Sequence, residues 1–241
     1  MTESVRLSKY IADRFSCSRR EAENYVEGGW VSVDGQVVEE SGFRVEPQHE
    51  VRLAKDARAE DHKPVTILLH KPTGFGGGTE ARPILDLLVA ANQSPEDRSG
   101  RHLVKRDLRE LDLVMPLDPD ASGLVVFTQE YGIARKLLQD AAKIEQEYVV
   151  EVSGELSADG LKKLNHGLSW QGVPLAAIKV SWQNETRLRF ALKNPPPGLI
   201  PDMCRQVGLQ VLSIKRIRIG RLPMSGLPLG QWRYLLGYER F

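Results

Sequence analysis

Leu117-Asp118-Pro119-Asp120-Ala121-Ser122-Gly123-Leu124-Val125-Val126-Phe127-Thr128 is the stretch from which the larger part of the chain is read. Asp118-Pro119 is turn chemistry, because proline presets the φ of a turn residue and the aspartate before it caps the amides that follow. From Gly123 the run becomes apolar and β-branched, which predicts a strand over 123–128. Working outward, Val65-Thr66-Ile67-Leu68-Leu69 opens the same unit, and further strands are expected over 146–152, 178–182, 187–192 and 211–219. Helices are expected over 84–91, 131–140 and 158–165. The mixture predicts an α+β domain over 64–241 with a mixed, largely antiparallel sheet.

Ahead of it lies a smaller unit over 1–53. Leu7, Ile11 and Ala12 share one helical face, with Arg6, Lys9 and Arg14 elsewhere. Ser18 followed by Glu21 is a capping-box pattern, and Ala22, Tyr25 and Val26 carry the apolar stripe of a second helix that Gly28-Gly29 ends. Trp30-Val31-Ser32-Val33, Asp34-Gly35 and Gln36-Val37-Val38 then read as a tight hairpin. Six of the ten residues in 54–63 are charged and no apolar period survives there, so this segment is expected to be a linker.

The 241 residues are 41% apolar and 27% charged, ordinary for a globular chain, and no apolar run approaches a membrane span. A cytoplasmic protein is expected. Cys17 and Cys204 lie far apart, with no CxxC and no clustered histidine, so they read as buried or incidental thiols and not as a zinc site. The net charge of +1 hides two basic ends: five Lys and Arg against two acids over 1–20, and seven against one over 205–241. Such patches suit a polyanion, although a solvated charged face is an equal reading of the charge alone. The glycines of 74–78 are not followed by Lys-Ser/Thr, which excludes a phosphate-binding loop.

Arg6-Leu7-Ser8-Lys9, Ser18-Arg19-Arg20-Glu21-Ala22 and Val26-Glu27-Gly28-Gly29-Trp30-Val31-Ser32-Val33-Asp34-Gly35 together resemble the αL RNA-binding domain named after a small-subunit ribosomal protein. The resemblance implies that Arg6, Lys9, Arg19 and Arg20 face the phosphates of structured RNA. A second resemblance runs nearly end to end. His70-Lys71-Pro72-Thr73-Gly74-Phe75, the segment from Leu117 to Leu124, Gln146-Glu147-Tyr148, and the closing Leu222-Pro223-Met224-Ser225-Gly226-Leu227-Pro228-Leu229-Gly230-Gln231-Trp232-Arg233 are similar, in that order, to the RsuA/RluB/RluE/RluF family of ribosomal RNA pseudouridine synthases. It implies isomerisation of one uridine, on the large-subunit side of the family, with no metal or organic cofactor. Asp118 falls on the family's catalytic aspartate and Tyr148 on its active-site tyrosine. Ser122-Gly123-Leu124 would re-enter the sheet and fix the aspartate on a rigid element. Lys71 is counted among the RNA-contacting residues. The partner implied is rRNA or a ribosomal assembly intermediate, bound by a monomer and away from membranes.

Two departures matter. The family's Gly-Arg before Leu-Asp is Met115-Pro116 here, and its basic run N-R-Q-I-R-R-M corresponds to Pro196-Pro197-Gly198-Leu199-Ile200-Pro201-Asp202-Met203-Cys204. Arg205 is the nearest replacement cation for the substrate pocket, and Gly76-Gly77-Gly78 adds flexibility near its entrance. Asp120 competes with Asp118 but reads as a turn cap, Tyr148 also reads as a strand core residue, and His70 reads as structural. Two functions follow: an active, divergent synthase acting through Asp118, or a weak or inactive relative serving as an RNA-binding or ribosome-assembly factor. Retention of Asp118 and Tyr148 points to the first, and loss of the arginines to the second.

Overall fold

The computed structural model describes residues 4–76, 82–224 and 226–241, in two compact units. In the small unit, helices α1 (Leu7–Phe15) and α2 (Arg19–Glu27) pack on a three-stranded sheet of β1 (Val31–Val33), β2 (Gln36–Val37) and β3 (Val51–Leu53). The capping box forms as read: Ser18 N–H donates to Glu21 Oε2 at 2.8 Å, and Glu21 N–H to Ser18 Oγ at 3.2 Å. Asp34 and Gly35 both take positive φ, the geometry of a two-residue hairpin turn. Leu7, Ile11, Ala22, Val26, Val31 and Val33 form the core.

The unit is discontinuous. His102–Leu111, expected within the large domain, groups with Met1–Pro64. His102 Nε2 lies 3.2 Å from the Gly28 carbonyl oxygen, and the His102 ring meets Trp30 edge-on. Residues 54–63 have no regular structure, yet Asp61 is held by Arg20 Nη2 at 2.9 Å and by Asn24 Nδ2 at 3.0 Å. Polar contacts across 37 or more residues leave no local pattern to read.

The large unit, Val65–Arg101 with Asp112–Phe241, is built on β4 (Thr66–Lys71), β5 (Asp112–Val114), β6 (Ser122–Thr128), α3 (Tyr131–Gln139), β7 (Glu145–Gly154), α4 (Gly160–Asn165), β8 (Lys179–Trp182), β9 (Arg187–Lys193), α5 (Leu199–Gln206), β10 (Leu209–Ile219), β11 (Leu222–Pro223) and β12 (Trp232–Tyr234). Among the described residues they form a nine-stranded sheet ordered β8-β9-β7-β10-β6-β4-β12, with β11 on β10 and β5 on β6. Only β10 against β6 is parallel. The helix expected over 84–91 is instead two 3-10 turns, Ile84–Leu87 and Ala90–Asn92. No helix among the described residues is long and apolar enough to cross a membrane.

β7 alternates strictly. Gln146, Tyr148, Val150 and Val152 turn inward, the last three into a core shared with Leu188, Phe190, Met203 and Cys204. Glu147 and Glu151 turn outward to Arg218 and Arg187. On β10 the register slips between Arg216 and Arg218. Two residues apart, these arginines would ordinarily share a face. The bulge sends Arg216 inward opposite Tyr148 and Arg218 outward opposite Glu147.

Gly123 makes the parallel pairing close. Its φ is +120°, and a Cβ there would lie 2.3 Å from the Arg216 carbonyl oxygen and 2.5 Å from its nitrogen. Gly123→Ala should therefore cost about 3 kcal/mol or more of unfolding free energy, read by urea titration. A loss under about 0.5 kcal/mol would contradict this packing.

Candidate active site

A cleft of about 340 Å³ opens at the end of the β7–β10 pair. Its floor is Gln146 and Tyr148 from β7 with Ile214 and Arg216 from β10. One wall is the segment from Met115 to Asp118 with Ala121, and the other is 194–201.

The first wall is a strained turn held from below. Met115 follows β5 with φ +53°, a conformation that costs a side-chain-bearing residue energy. Ala121 N–H then donates to the Asp118 carbonyl at 3.1 Å, closing a turn around Pro119. Gly74 N–H donates to the Pro119 carbonyl at 2.9 Å. Beneath it Lys71 is fully buried, its ammonium donating to the carbonyls of Phe75 at 2.7 Å, Pro72 at 3.1 Å and Pro119 at 3.3 Å. Burial pushes the Lys71 pKa down to about 8, against the opposing attraction of Asp118 and Asp120. The expectation of an RNA contact at Lys71 is not met, since it presents no group to a phosphate. Of the glycine run expected at the entrance, Gly77 and Gly78 lie outside the described residues.

Arg216 is the residue that sequence reasoning missed. Its guanidinium is sealed from solvent and donates to the Leu124 carbonyl at 2.8 Å, to Gln146 Oε1 at 2.9 Å, and to the Met115 carbonyl. Tyr148 OH lies 2.7 Å from the same Gln146 oxygen. Burial raises the Tyr148 pKa, while the Arg216 charge beside it pulls the other way. Tyr148 is thus both a buried strand residue and part of the cleft. In the sequence Arg216 sits inside Lys215-Arg216-Ile217-Arg218, where it counts as one more surface cation, and only the bulge singles it out.

Asp118 faces the cleft and is solvent-exposed, so water solvates its carboxylate. Among the described residues no ion pair within about 4 Å joins it. Arg205 is not brought to the cleft: it is exposed on α5 and pairs with Asp202. The 194–201 wall carries no cation, and its proline rings, Leu199 and Ile200 offer an apolar face. Asp120 lies outside the cleft lining. Burial pushes the Cys204 thiol up to about 12, which removes it as a nucleophile.

In the small unit Arg6, Lys9, Arg19 and Arg44 line a groove of about 680 Å³. Arg44 follows the hairpin, and no sequence motif points to it. Arg20 is turned to Asp61.

A family model described as the S4 domain matches residues 5–51. The chain is 30% identical over 240 residues to the dual-specificity RNA pseudouridine synthase RluF of Escherichia coli strain K12, covering 98% of this chain and 77% of that protein. It is 28% identical over 244 residues to ribosomal large subunit pseudouridine synthase B of Bacillus subtilis strain 168, covering 97% and 93%. A solved pseudouridylate synthase superposes with a TM-score of 0.60 at 17% identity over 97% of this chain and 96% of that one, a likeness of fold.

The buried ammonium gives a pH signature. The Lys71 pKa falls from 10.5 unfolded to about 8 folded, so folding carries a penalty that is fully present below pH 8 and fades as the pH rises to 10.5. The stability of wild type relative to Lys71→Met should therefore rise between about pH 7.5 and about pH 10, by on the order of 2 kcal/mol. Urea unfolding of both proteins at the two pH values measures it, and a flat difference would show that the ammonium is not desolvated.

Proposed function

The chain belongs to the RsuA/RluB/RluF family of RNA pseudouridine synthases, and from that premise we propose that it isomerises one uridine of large-subunit ribosomal RNA in the cytoplasm, with Asp118 as the catalytic carboxylate. The observation that carries this reading is the meeting of Asp118, from a turn, with Tyr148, from a strand 30 residues later, in one cleft.

The reaction breaks the bond between ribose C1′ and uracil N1 and makes one between C1′ and C5. N1 gains a proton and C5 loses one, so atoms and electrons balance without a redox partner. The exposed Asp118 carboxylate serves either as the nucleophile at C1′ or as the base that removes the proton. The uridine must leave its stack to reach the cleft, at a cost of a few kcal/mol. The apolar 194–201 wall receives a flat ring. The Arg6, Lys9, Arg19 and Arg44 groove supplies cations for the phosphates of structured RNA.

A second reading has one observation behind it. The Asp118 carboxylate lacks a cation within about 4 Å among the described residues, which suits a relative that binds RNA and turns over weakly or not at all. Carbodiimide mapping of pseudouridine in rRNA decides between them, in cells lacking the protein and complemented with wild type or Asp118→Asn. One site should vanish and return with wild type alone. Restoration by Asp118→Asn, or an unaltered map in the cells lacking the protein, would sink catalysis through Asp118.

The groove has its own test. Lys9→Ala with Arg44→Ala should weaken binding to rRNA fragments. The plot of log affinity against log salt should flatten by about 0.7–0.9 for each phosphate that the variant no longer neutralises, as filter binding reads. An unchanged slope would place the RNA elsewhere.

A further inference from the structure

The floor of the cleft has its hydrogen-bond directions fixed by Arg216. A guanidinium only donates, so the Gln146 side-chain atom 2.9 Å from Arg216 Nη1 has to be the carbonyl oxygen. The usual ambiguity between the two ends of a glutamine amide is removed. Tyr148 OH, 2.7 Å from that same oxygen, has to donate to it. The Gln146 amide nitrogen is then the free end. It takes no protein acceptor among the described residues, it is not among the sealed polar atoms that lack partners, and its residue lines the cleft beside Tyr148 and across from Asp118.

We propose that Gln146 is a specificity-determining residue whose Nε2 amide donates to the C4 carbonyl of the target ring, so that the cleft accepts uracil and rejects cytosine. The proposal rests on the reading of the cleft as a uridine site. Uracil and cytosine share the C2 carbonyl and differ at C4, where uracil presents an acceptor and cytosine an amino donor. An amide N–H whose oxygen is locked elsewhere cannot rotate to suit the amino group. In the same pose cytosine sets donor against donor at the buried Gln146 side chain, and a buried donor left without an acceptor is penalised. Tyr148 sharpens the choice. With its one proton given to Gln146, its oxygen can only accept, which suits the imide N–H of uracil and not the bare N3 of cytosine.

This recognition has a cause in the chain. Gln146 and Tyr148 share a face because they are two apart on β7, and Arg216 reaches them because the β10 bulge turns it inward while Arg218 goes out. Remove the guanidinium from that spot and the Gln146 amide is free to flip, leaving the floor with no fixed donor.

Gln146→Glu isolates the donor. The carboxylate keeps one oxygen for Arg216 and Tyr148 to share, as in wild type, and exchanges only the N–H₂ for a second oxygen. Ribosomal RNA transcribed with [5-³H]uridine reports turnover, because bond formation at C5 releases tritium to water. The variant should release tritium with kcat/KM reduced about 10–100-fold and with its thermal midpoint no lower than that of wild type. A second readout needs no turnover. The Gln146 side-chain amide signals in the ¹⁵N–¹H spectrum of the full chain, assigned by their loss in the variant, should move on adding uridine 5′-monophosphate and stay put with cytidine 5′-monophosphate. Uridine-selective movement in a wild type that releases no tritium would uphold the recognition and sink the catalytic reading. Tritium release by Gln146→Glu at the wild-type rate, or amide signals that ignore the base or answer both alike, would overturn the role of Gln146 and leave that reading standing.

Discussion

The cleft depends on one buried guanidinium. Arg216 is surrounded by neutral acceptors, the Leu124 and Met115 carbonyls and the Gln146 amide, with no carboxylate paired to it among the described residues. Burying a charge costs several kcal/mol unless hydrogen bonds and neighbouring charges offset it. The acceptors around Arg216 come from three different pieces of chain: the turn after β5, the interior of β6 and the start of β7. Its cost is thus offset only when those pieces lie in one arrangement, and that arrangement brings Asp118 and Tyr148 together. The parallel β6–β10 pairing that permits it requires a residue without a Cβ at position 123. Glycine there and arginine at 216 form a single device.

The Asp118 turn is secured from two sides. Arg216 holds the Met115 carbonyl, at a backbone conformation that needs outside support, and Lys71 holds the Pro119 carbonyl from beneath. Between these anchors lie only Pro116, Leu117 and Asp118. Two of the four residues from 116 to 119 are prolines, whose φ is fixed in advance, so the entropy lost in ordering the loop is small. A carboxylate that must be placed within a fraction of an ångström of a ribose is better carried by such a segment than by a free loop. Both anchors are cations, so they also set a positive potential around an exposed carboxylate without forming an ion pair that would occupy its oxygens.

Local patterns carried much of this structure into the sequence. The Ser18–Glu21 capping box, the Asp34-Gly35 turn, the strand over 146–152 and the strand after Gly123 are all local, and each forms as read. Asp118 and Tyr148 were legible through ordered motifs, and both line the cleft. Arg216 was not. Its inward turn depends on a one-residue bulge, and its burial on a pairing between residues more than 90 apart in the chain. Lys71 was misread for the same reason, since a lysine beside a proline at a strand end looks exposed until the loop that covers it is known. Arg205 stands out only by nearness along the chain, whereas its position in the last turn of α5 gives it Asp202, one helical turn back, as a partner.

The distribution of polarity follows from these placements. The 194–201 wall is built of Asn194, four prolines, Gly198 and two aliphatic residues, and proline brings no backbone N–H to a ligand. Apart from the Asn194 amide, that wall can stack against a ring or exclude water, and it carries no cation to neutralise a phosphate. Reading falls to the floor, where Gln146 and Tyr148 have their donor and acceptor directions set by Arg216. Phosphate charge falls to side chains outside the cleft, such as the exposed Arg6, Lys9 and Arg44. A site with its cation on the wall would contact the substrate by charge. Here the cation lies beneath the floor and acts through the groups it orients, so the absence of arginine from 194–201 changes what the cleft can recognise and leaves the placement of Asp118 intact.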